Sequence, residues 1–136
     1  MKKISFLLSA CVFSCAAAMT LQANQSAAVT AGDFLYVSAQ FPIAPLTGQI
    51  GTGDTQTLTN LVLDQIQHLL HVKGYTMKQV LKTEVYLTDI RNFESMDSAY
   101  GLRFPFEFPP ARDVIEVSSL LNNSPISISC IADSSR

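Results

Sequence analysis

Arg112 is the side chain whose surroundings in the sequence most suggest ligand binding. It follows a pair of prolines and Ala111, and the β-branched segment 114–117 begins soon after it. Proline fixes φ and pushes the preceding residue toward an extended conformation, so the chain enters the next strand stiffly. A guanidinium held at such a point presents a planar fork of donors suited to a carboxylate. The spacing also fits an ordinary surface arginine paired with Asp113 or Glu116, and it does not decide between the two readings.

Other residues that could do chemistry form weaker patterns. His68 and His71 are three apart, a spacing that two metal ligands can have, but no third ligand candidate lies close in sequence. Cys130 falls in an alternating apolar segment and is predicted to be a small buried residue, because a catalytic thiol needs a neighbouring histidine. Signatures of hydrolase triads, P-loops and dinucleotide sites do not occur in the sequence. We therefore expect no metal and no cofactor.

Composition restricts the class of partner. The chain has 136 residues, 48% of them hydrophobic, which is enough for one domain with one core. Its formal net charge is -2. Beyond the first few residues no run of lysine or arginine occurs, so a nucleic-acid partner has no electrostatic footprint. A small and rather apolar domain of low charge fits an oligomer that buries part of its surface between subunits.

Two amphipathic helices are predicted. The first begins at Asp54 or Thr55, which can cap it, and ends before Gly74. Its stripe of helical period consists of Leu58, Leu61, Val62, Ile66, Leu69, Leu70 and Val72. A second helix follows Asn92, and its shared face is made of Phe93, Met96, Tyr100 and Phe104.

The remaining segments are predicted to be strands. Residues 27–29 and 34–38 flank Gly32 and Asp33, a hairpin signal. Residues 80–88 alternate, with Leu81, Thr83, Val85 and Leu87 on one face and Val80, Lys82, Glu84 and Tyr86 on a wetter face. Segments 112–118 and 126–132 are strands joined by the turn at 122–125. The order predicts an α+β fold, a two-layer sandwich with a mixed sheet and two helices on one face.

Several segments resemble one family. Pro110-Ala111-Arg112 before a strand resembles the signature of the RidA/YjgF family of small trimeric proteins, many of which are 2-imino acid (enamine/imine) deaminases. Ser38-Ala39-Gln40 is similar to the family's Ser-Gly-Gln turn, Thr47-Gly48 to the turn that follows, and residues 80–89 to the strand after the first helix. The resemblance covers residues 29–132. It implies a chorismate-mutase-like homotrimer with clefts between subunits.

The resemblance also implies a site. Arg112 would grip the carboxylate of a 2-imino or 2-oxo acid in the inter-subunit cleft, assisted by the backbone amides of Ala39 and Val114. Phe41, Tyr86 and Phe93 are candidates to line the cleft. Ala39 departs from the family's glycine, which narrows the backbone conformations available there.

The chain departs from the family where water should be activated. Active members are thought to use a glutamate of an E-x-E pattern on the last strand, and the matching positions here are Ser127 and Ser129. Serine is no general base at its ordinary pKa without a partner. Asp97 replaces an asparagine usual in the second helix and would repel an anion if it faced the cleft. The family's Gly-Pro-Tyr segment near the N-terminus is also missing.

Three functional readings follow. The first is an imine/enamine deaminase, slow or altered, in which Arg112 anchors the substrate and water is organised by Ser127, by backbone groups or by another residue. The second is a non-catalytic periplasmic binder of small carboxylates. The third is a structural or holdase-type trimer, which predicts exposed apolar patches and Arg112 held in a salt bridge.

The N-terminus has the pattern of a secretory signal peptide. Two lysines precede an apolar run that ends in small residues, so residues 1–23 are predicted to be removed and residues 24–136 to form the domain. The run is too short for a membrane span. Leu8-Ser9-Ala10-Cys11 also resembles a lipobox, which would acylate Cys11. The expected location is the periplasm or the exterior.

Overall fold

The computed structural model describes residues 25–136. The predicted signal peptide and Cys11 lie outside this range. Within it, the helices are too short or too polar to cross a membrane.

Five strands form one mixed sheet. They are β1 (Ala28–Ala31), β2 (Phe34–Gln40), β3 (Val80–Leu87), β4 (Ala111–Glu116) and β5 (Ile126–Asp133). The strand order is β1-β2-β5-β3-β4. Only the β3–β4 pair is parallel, while the other neighbours are antiparallel. This confirms the predicted mixed sheet and makes β4, which carries Arg112, an edge strand.

Helix α1 (Thr55–Val72) begins and ends where the sequence predicts. The side chain of Asp54 accepts a hydrogen bond of 2.8 Å from the backbone N–H of Thr57, which satisfies one of the unpaired donors of the first turn. Gly74 has a φ of 82°, a left-handed conformation that costs glycine little. The helix is therefore capped at both ends by its own sequence.

The core lies between the sheet and the two helices. Helix α1 packs on β2 and β5 and against α2 (Phe93–Arg103). Its buried apolar side chains are Leu58, Val62, Leu63, Ile66 and Leu70. They meet alternate residues of the sheet, namely Leu35, Val37, Val85, Leu87, Ile126, Ile128 and Ala132. The two-layer α+β sandwich is thereby confirmed.

The predicted face assignment of β3 is wrong at its first residues. Val80 is fully buried and Leu81 is only partly buried, the reverse of the alternation that the sequence predicts. In the pairing with β5, Val80 lies opposite Ala132 but Lys82 lies opposite Ile131, so Leu81 is an extra residue. A bulge of this kind shifts the alternation by one residue. The prediction holds from Lys82 onward.

The other side of the sheet carries no helix in the described part of the chain. We call it the helix-free face; register places Tyr36, Lys82, Glu84, Tyr86, Ser127 and Ser129 on it. Lys82 Nζ lies 2.9 Å from Asp113 Oδ2 and 3.4 Å from Glu84 Oε1, and Asp113 is the main cause of a raised pKa of Lys82. Tyr36 and Ile115 remain 48% and 44% exposed. Apolar side chains thus alternate with ion pairs across this surface.

Candidate functional site

Arg112 faces the helix layer from the edge of the sheet. It lies opposite Thr83 on β3, which in turn lies opposite Cys130 on β5. Residues in such a row share one face of the sheet, and Cys130 is part of the core, so the Arg112 side chain lies on the core side of the sheet. The Arg112 side chain is nevertheless 23% exposed, because β4 has no further strand beyond it. Its guanidinium therefore lies at the border between the core and solvent.

Helix α2 builds the surroundings of that guanidinium. Phe93, Asp97 and Tyr100 follow one another at intervals of four and three residues, so they share a helix face. The guanidinium carbon of Arg112 lies 4.5 Å from the ring centroid of Tyr100 and 5.8 Å from that of Phe93. The negative faces of the two rings attract the cation.

Tyr100 is itself fixed from below. Its hydroxyl shares a hydrogen bond of 2.7 Å with the Thr83 hydroxyl, and both residues are buried. Burial raises the pKa of Tyr100, opposed in part by the Thr83 hydrogen bond and by the Arg112 charge, so the hydroxyl stays protonated at neutral pH. The ring that contacts the guanidinium is thus neutral, and its hydroxyl is hydrogen-bonded to Thr83.

Asp97 is the carboxylate that meets Arg112. Its Oδ1 lies 2.7 Å from Arg112 Nη2, and its side chain is 48% exposed. No other ion pair of Arg112 occurs among the described residues. A guanidinium has five N–H donors, so one carboxylate oxygen leaves most of them available for a second acceptor. The site can bind an anion beside Asp97, at the edge that faces solvent.

One subunit does not bring Ala39 near Arg112. Ala39 lies at an irregularity of β2, where Val37 pairs with Cys130 and Gln40 with Ile128. Strands β5 and β3 separate β2 from β4, which places Ala39 about 14 Å or more from the Arg112 strand. Val114, two residues beyond Arg112 on the same strand, does share its face and packs against the core. A site containing both amides requires a second copy of the chain.

Ser127 and Tyr86 lie together but on the helix-free face. They are direct partners across β5 and β3, and Ser127 is only 1% exposed. The Tyr86 hydroxyl and the Ser129 hydroxyl each donate to Glu84 Oε2 at 3.4 Å. Because Arg112 points to the helix face, neither Ser127 nor Tyr86 adjoins it within one subunit.

Comparison with known proteins places these features in a family. The sequence model of the endoribonuclease L-PSP family matches residues 15–134. A RutC family protein of Pyrococcus horikoshii is 41% identical over 79% of this chain and 84% of its own. The chain belongs to this family. It is the RidA/YjgF family of the sequence resemblance, which is confirmed.

Two further RidA-family proteins have informative names. Reactive Intermediate Deaminase A of the Arabidopsis thaliana chloroplast is 30% identical over 79% of this chain and 57% of its own. E. coli TdcF, whose structure holds bound serine, has a TM-score of 0.75 and 25% identity, covering 80% of this chain and 87% of that one. The fold of the chain is therefore the RidA fold.

The remaining sequence candidates lie away from Arg112. His68 and His71 are both exposed on α1, and the described residues contain no group of three metal-ligating side chains. Burial raises the pKa of Cys130 to about 12, so its thiol is protonated under ordinary conditions and is a poor nucleophile. The two histidines are therefore surface residues, and Cys130 is a residue of the core.

Sequence reasoning placed Tyr100 on the shared apolar face of the second helix and treated Asp97 only as a source of repulsion. The structure makes Tyr100 the platform of Arg112 and Asp97 its ion-pair partner. Their spacing of three residues on α2 could have indicated a shared face. That this face meets β4 rather than another part of the sheet follows only from the packing of α2.

Proposed function

We propose that the protein is an imine/enamine deaminase of the RidA type that hydrolyses 2-imino acids to 2-oxo acids and ammonia. The observation that carries the proposal is the Arg112 guanidinium, held on the Tyr100 ring with part of its surface open to solvent. A planar, pre-oriented cation of this kind suits a small carboxylate. The name of the Arabidopsis relative and the serine bound to E. coli TdcF support the same class of ligand.

The chemistry needs orientation more than it needs a strong nucleophile. With the carboxylate on Arg112, the adjacent C=N carbon is fixed for attack. Water adds to that carbon, its protons pass to nitrogen, and the C–N bond breaks to leave a 2-oxo acid and ammonia. We assign the positioning of this water to Ser127, and a supporting role in carboxylate binding to the amides of Ala39 and Val114.

These assignments require an assembly. Because Ala39, Ser127 and Tyr86 do not adjoin Arg112 in one subunit, the complete cleft must lie between copies, and we propose a homotrimer. The helix-free face, with Tyr36 and Ile115 exposed beside the Lys82 ion pairs, is the surface we expect the copies to share. Sedimentation equilibrium should then give three times the mass of the processed chain, and a monomer would contradict the proposal.

The first alternative is a non-catalytic carboxylate binder. The observation that favours it is Ser127, which is almost fully buried and stands where catalytic relatives are thought to carry glutamate. A second alternative, a structural or holdase-type trimer, is favoured by the Arg112–Asp97 ion pair. Binding without turnover would identify the former, and the absence of both would identify the latter.

We also propose export, with residues 1–23 as the signal peptide and Cys11 as the site of acylation if a lipid is attached. The lysine pair and the apolar run that follows support this proposal. Mass spectrometry of the protein from the periplasm of a producing bacterium measures the processed N-terminus. A full-length chain that stays in the cytosol would contradict it.

Ammonia release from freshly generated 2-iminobutanoate and 2-iminopropanoate tests the main proposal. The purified protein should release ammonia above a buffer blank, and Arg112→Ala should return the rate to the blank. Arg103→Ala is the matched control, because the Arg103 side chain is also 23% exposed and ion-paired. Circular dichroism and the oligomeric mass establish that each variant is folded.

A rate equal to the blank for the wild-type protein would overturn the deaminase proposal and leave the two non-catalytic alternatives. An unchanged rate in Arg112→Ala would overturn the assignment of the site. If Ser127 positions water, Ser127→Ala should lower kcat while the affinity for a 2-oxo acid is preserved.

A further inference from the structure

The charged pair at the site has a feature that a simple anion site does not need. Arg112 lies beside Asp97, and both side chains are partly exposed at the same edge. We propose that the pair recognises ligands in which the carbon that bears the carboxylate also bears a positively charged nitrogen. These are α-amino acid zwitterions and protonated 2-imino acids. The inference rests on the proposed function, since it takes Arg112 as the carboxylate anchor.

Arg112 has donors to spare. Its one ion-pair contact with the described residues runs from Nη2 to Asp97 Oδ1, and no acceptor for Nε or Nη1 is found among these residues. The remaining N–H groups lie in the plane of the guanidinium. A ligand carboxylate can therefore bind at this edge without breaking the pair.

Asp97 has an acceptor to spare as well. Oδ1 takes the contact with Arg112, and the contacts found among residues 25–136 give Oδ2 no hydrogen-bond partner. The side chain is 48% exposed. An ammonium or iminium group is a donor that this free oxygen can accept beside the guanidinium.

The electrostatics distinguish the two ligand classes. An anion that binds Arg112 comes close to the Asp97 carboxylate, and this repulsion cancels much of its attraction to the guanidinium. A zwitterion places its positive nitrogen near Asp97, so both contacts are favourable. Partial burial on the aromatic rings strengthens both effects relative to water. Asp97 is accordingly a specificity residue, and the removal of its charge should abolish the preference for the zwitterion.

The test compares two acids that differ in one group. L-2-aminobutanoate is a zwitterion at pH 7, and (S)-2-hydroxybutanoate has the same skeleton without the positive charge. Titration calorimetry on the full protein should give a dissociation constant about tenfold lower for the amino acid, as expected for one added charge contact. Asp97→Asn, which keeps the size of the side chain, should remove that preference and lower the dissociation constant of the hydroxy acid.

The controls separate this inference from the function on which it rests. Arg103→Ala should leave both affinities unchanged, and Arg112→Ala should abolish both. Tighter binding of the hydroxy acid by the wild-type protein, or an unchanged ratio in Asp97→Asn, overturns the inference while Arg112 keeps its role. Unchanged affinities in Arg112→Ala overturn the anchor itself, and the ammonia assay judges turnover separately.

Discussion

Arg103 and Arg112 are equally exposed, yet they occupy opposite situations. Both side chains are 23% exposed, and each forms an ion pair with a carboxylate on a helix. Arg103 belongs to α2 and reaches α1, where it donates to Asp64, to Gln67 at 2.9 Å and to Asn60. Arg112 belongs to β4, contacts the Asp97 carboxylate and lies over the rings of Phe93 and Tyr100.

The difference lies in how far the donors of each guanidinium are satisfied. Arg103 has acceptors for each of its nitrogens on α1, so it joins two helices and has little left for a ligand. Arg112 lies over the Tyr100 ring and contacts Asp97 through Nη2, and no acceptor for its Nε or Nη1 is found among the described residues. Exposure alone does not distinguish the two arginines, whereas their contacts do.

Replacement by lysine should show the difference between the two arginines most clearly. Arg112→Lys keeps the charge but removes the planar fork and the stacking on Tyr100, so the affinity for 2-oxobutanoate should fall by about tenfold to a hundredfold. Arg103→Lys should leave that affinity unchanged. Titration calorimetry measures both, and equal affinity in Arg112→Lys would mean that a point charge is enough.

Tyr100→Phe separates the ring from the hydroxyl. Thr83 loses its buried hydrogen-bond partner, which should lower the free energy of unfolding by about 1–2 kcal/mol. The ring under Arg112 remains, so the affinity for 2-oxobutanoate should change by less than about threefold. Urea denaturation and calorimetry give the two values, and a large loss of affinity would show that the hydroxyl positions the guanidinium.

Arg103→Ala should act on stability alone. The loss of its contacts between α1 and α2 should lower the free energy of unfolding by about 1 kcal/mol, as is usual for partly exposed ion pairs. Arg112→Ala should cost less, because Arg112 joins no second helix. Urea denaturation of the two variants side by side compares them, and equal losses would contradict the distinction.

Replacement of Cys130 should have the smallest effect on the site. It lies in the same row as Arg112, two strands away, and burial raises the pKa of its thiol to about 12 from 9.0. The folded protein then holds a proton that the unfolded chain loses, so the free energy of unfolding should fall as pH rises from about 9 toward 12. Iodoacetamide at pH 9 should not modify the folded protein, and Cys130→Ala should flatten this dependence without changing ligand affinity. Rapid modification would show that the thiol is accessible.

Much of the fold could be predicted because its signals are local. The stripe of α1 with Asp54 and Gly74 at its ends, and the hairpin turn at Gly32, depend on neighbours in sequence. The paired asparagines 122 and 123 take positive φ values of 55° and 54° in the predicted turn, since asparagine tolerates this conformation. The exception is Val80, where a bulge depends on how β3 meets β5.

The same distinction between local signals and tertiary contacts applies to the site. The sequence by itself determined the class of fold and the family and made Arg112 the candidate anchor, because strand and helix periods and the Pro-Pro-Ala-Arg segment are properties of neighbouring residues. Only the tertiary structure decided that Asp97 and Tyr100 hold that arginine and that Ser127 lies on the other face of the sheet. The physical reason is that strand register and helix docking bring together residues far apart in sequence, and no local pattern encodes which of them meet.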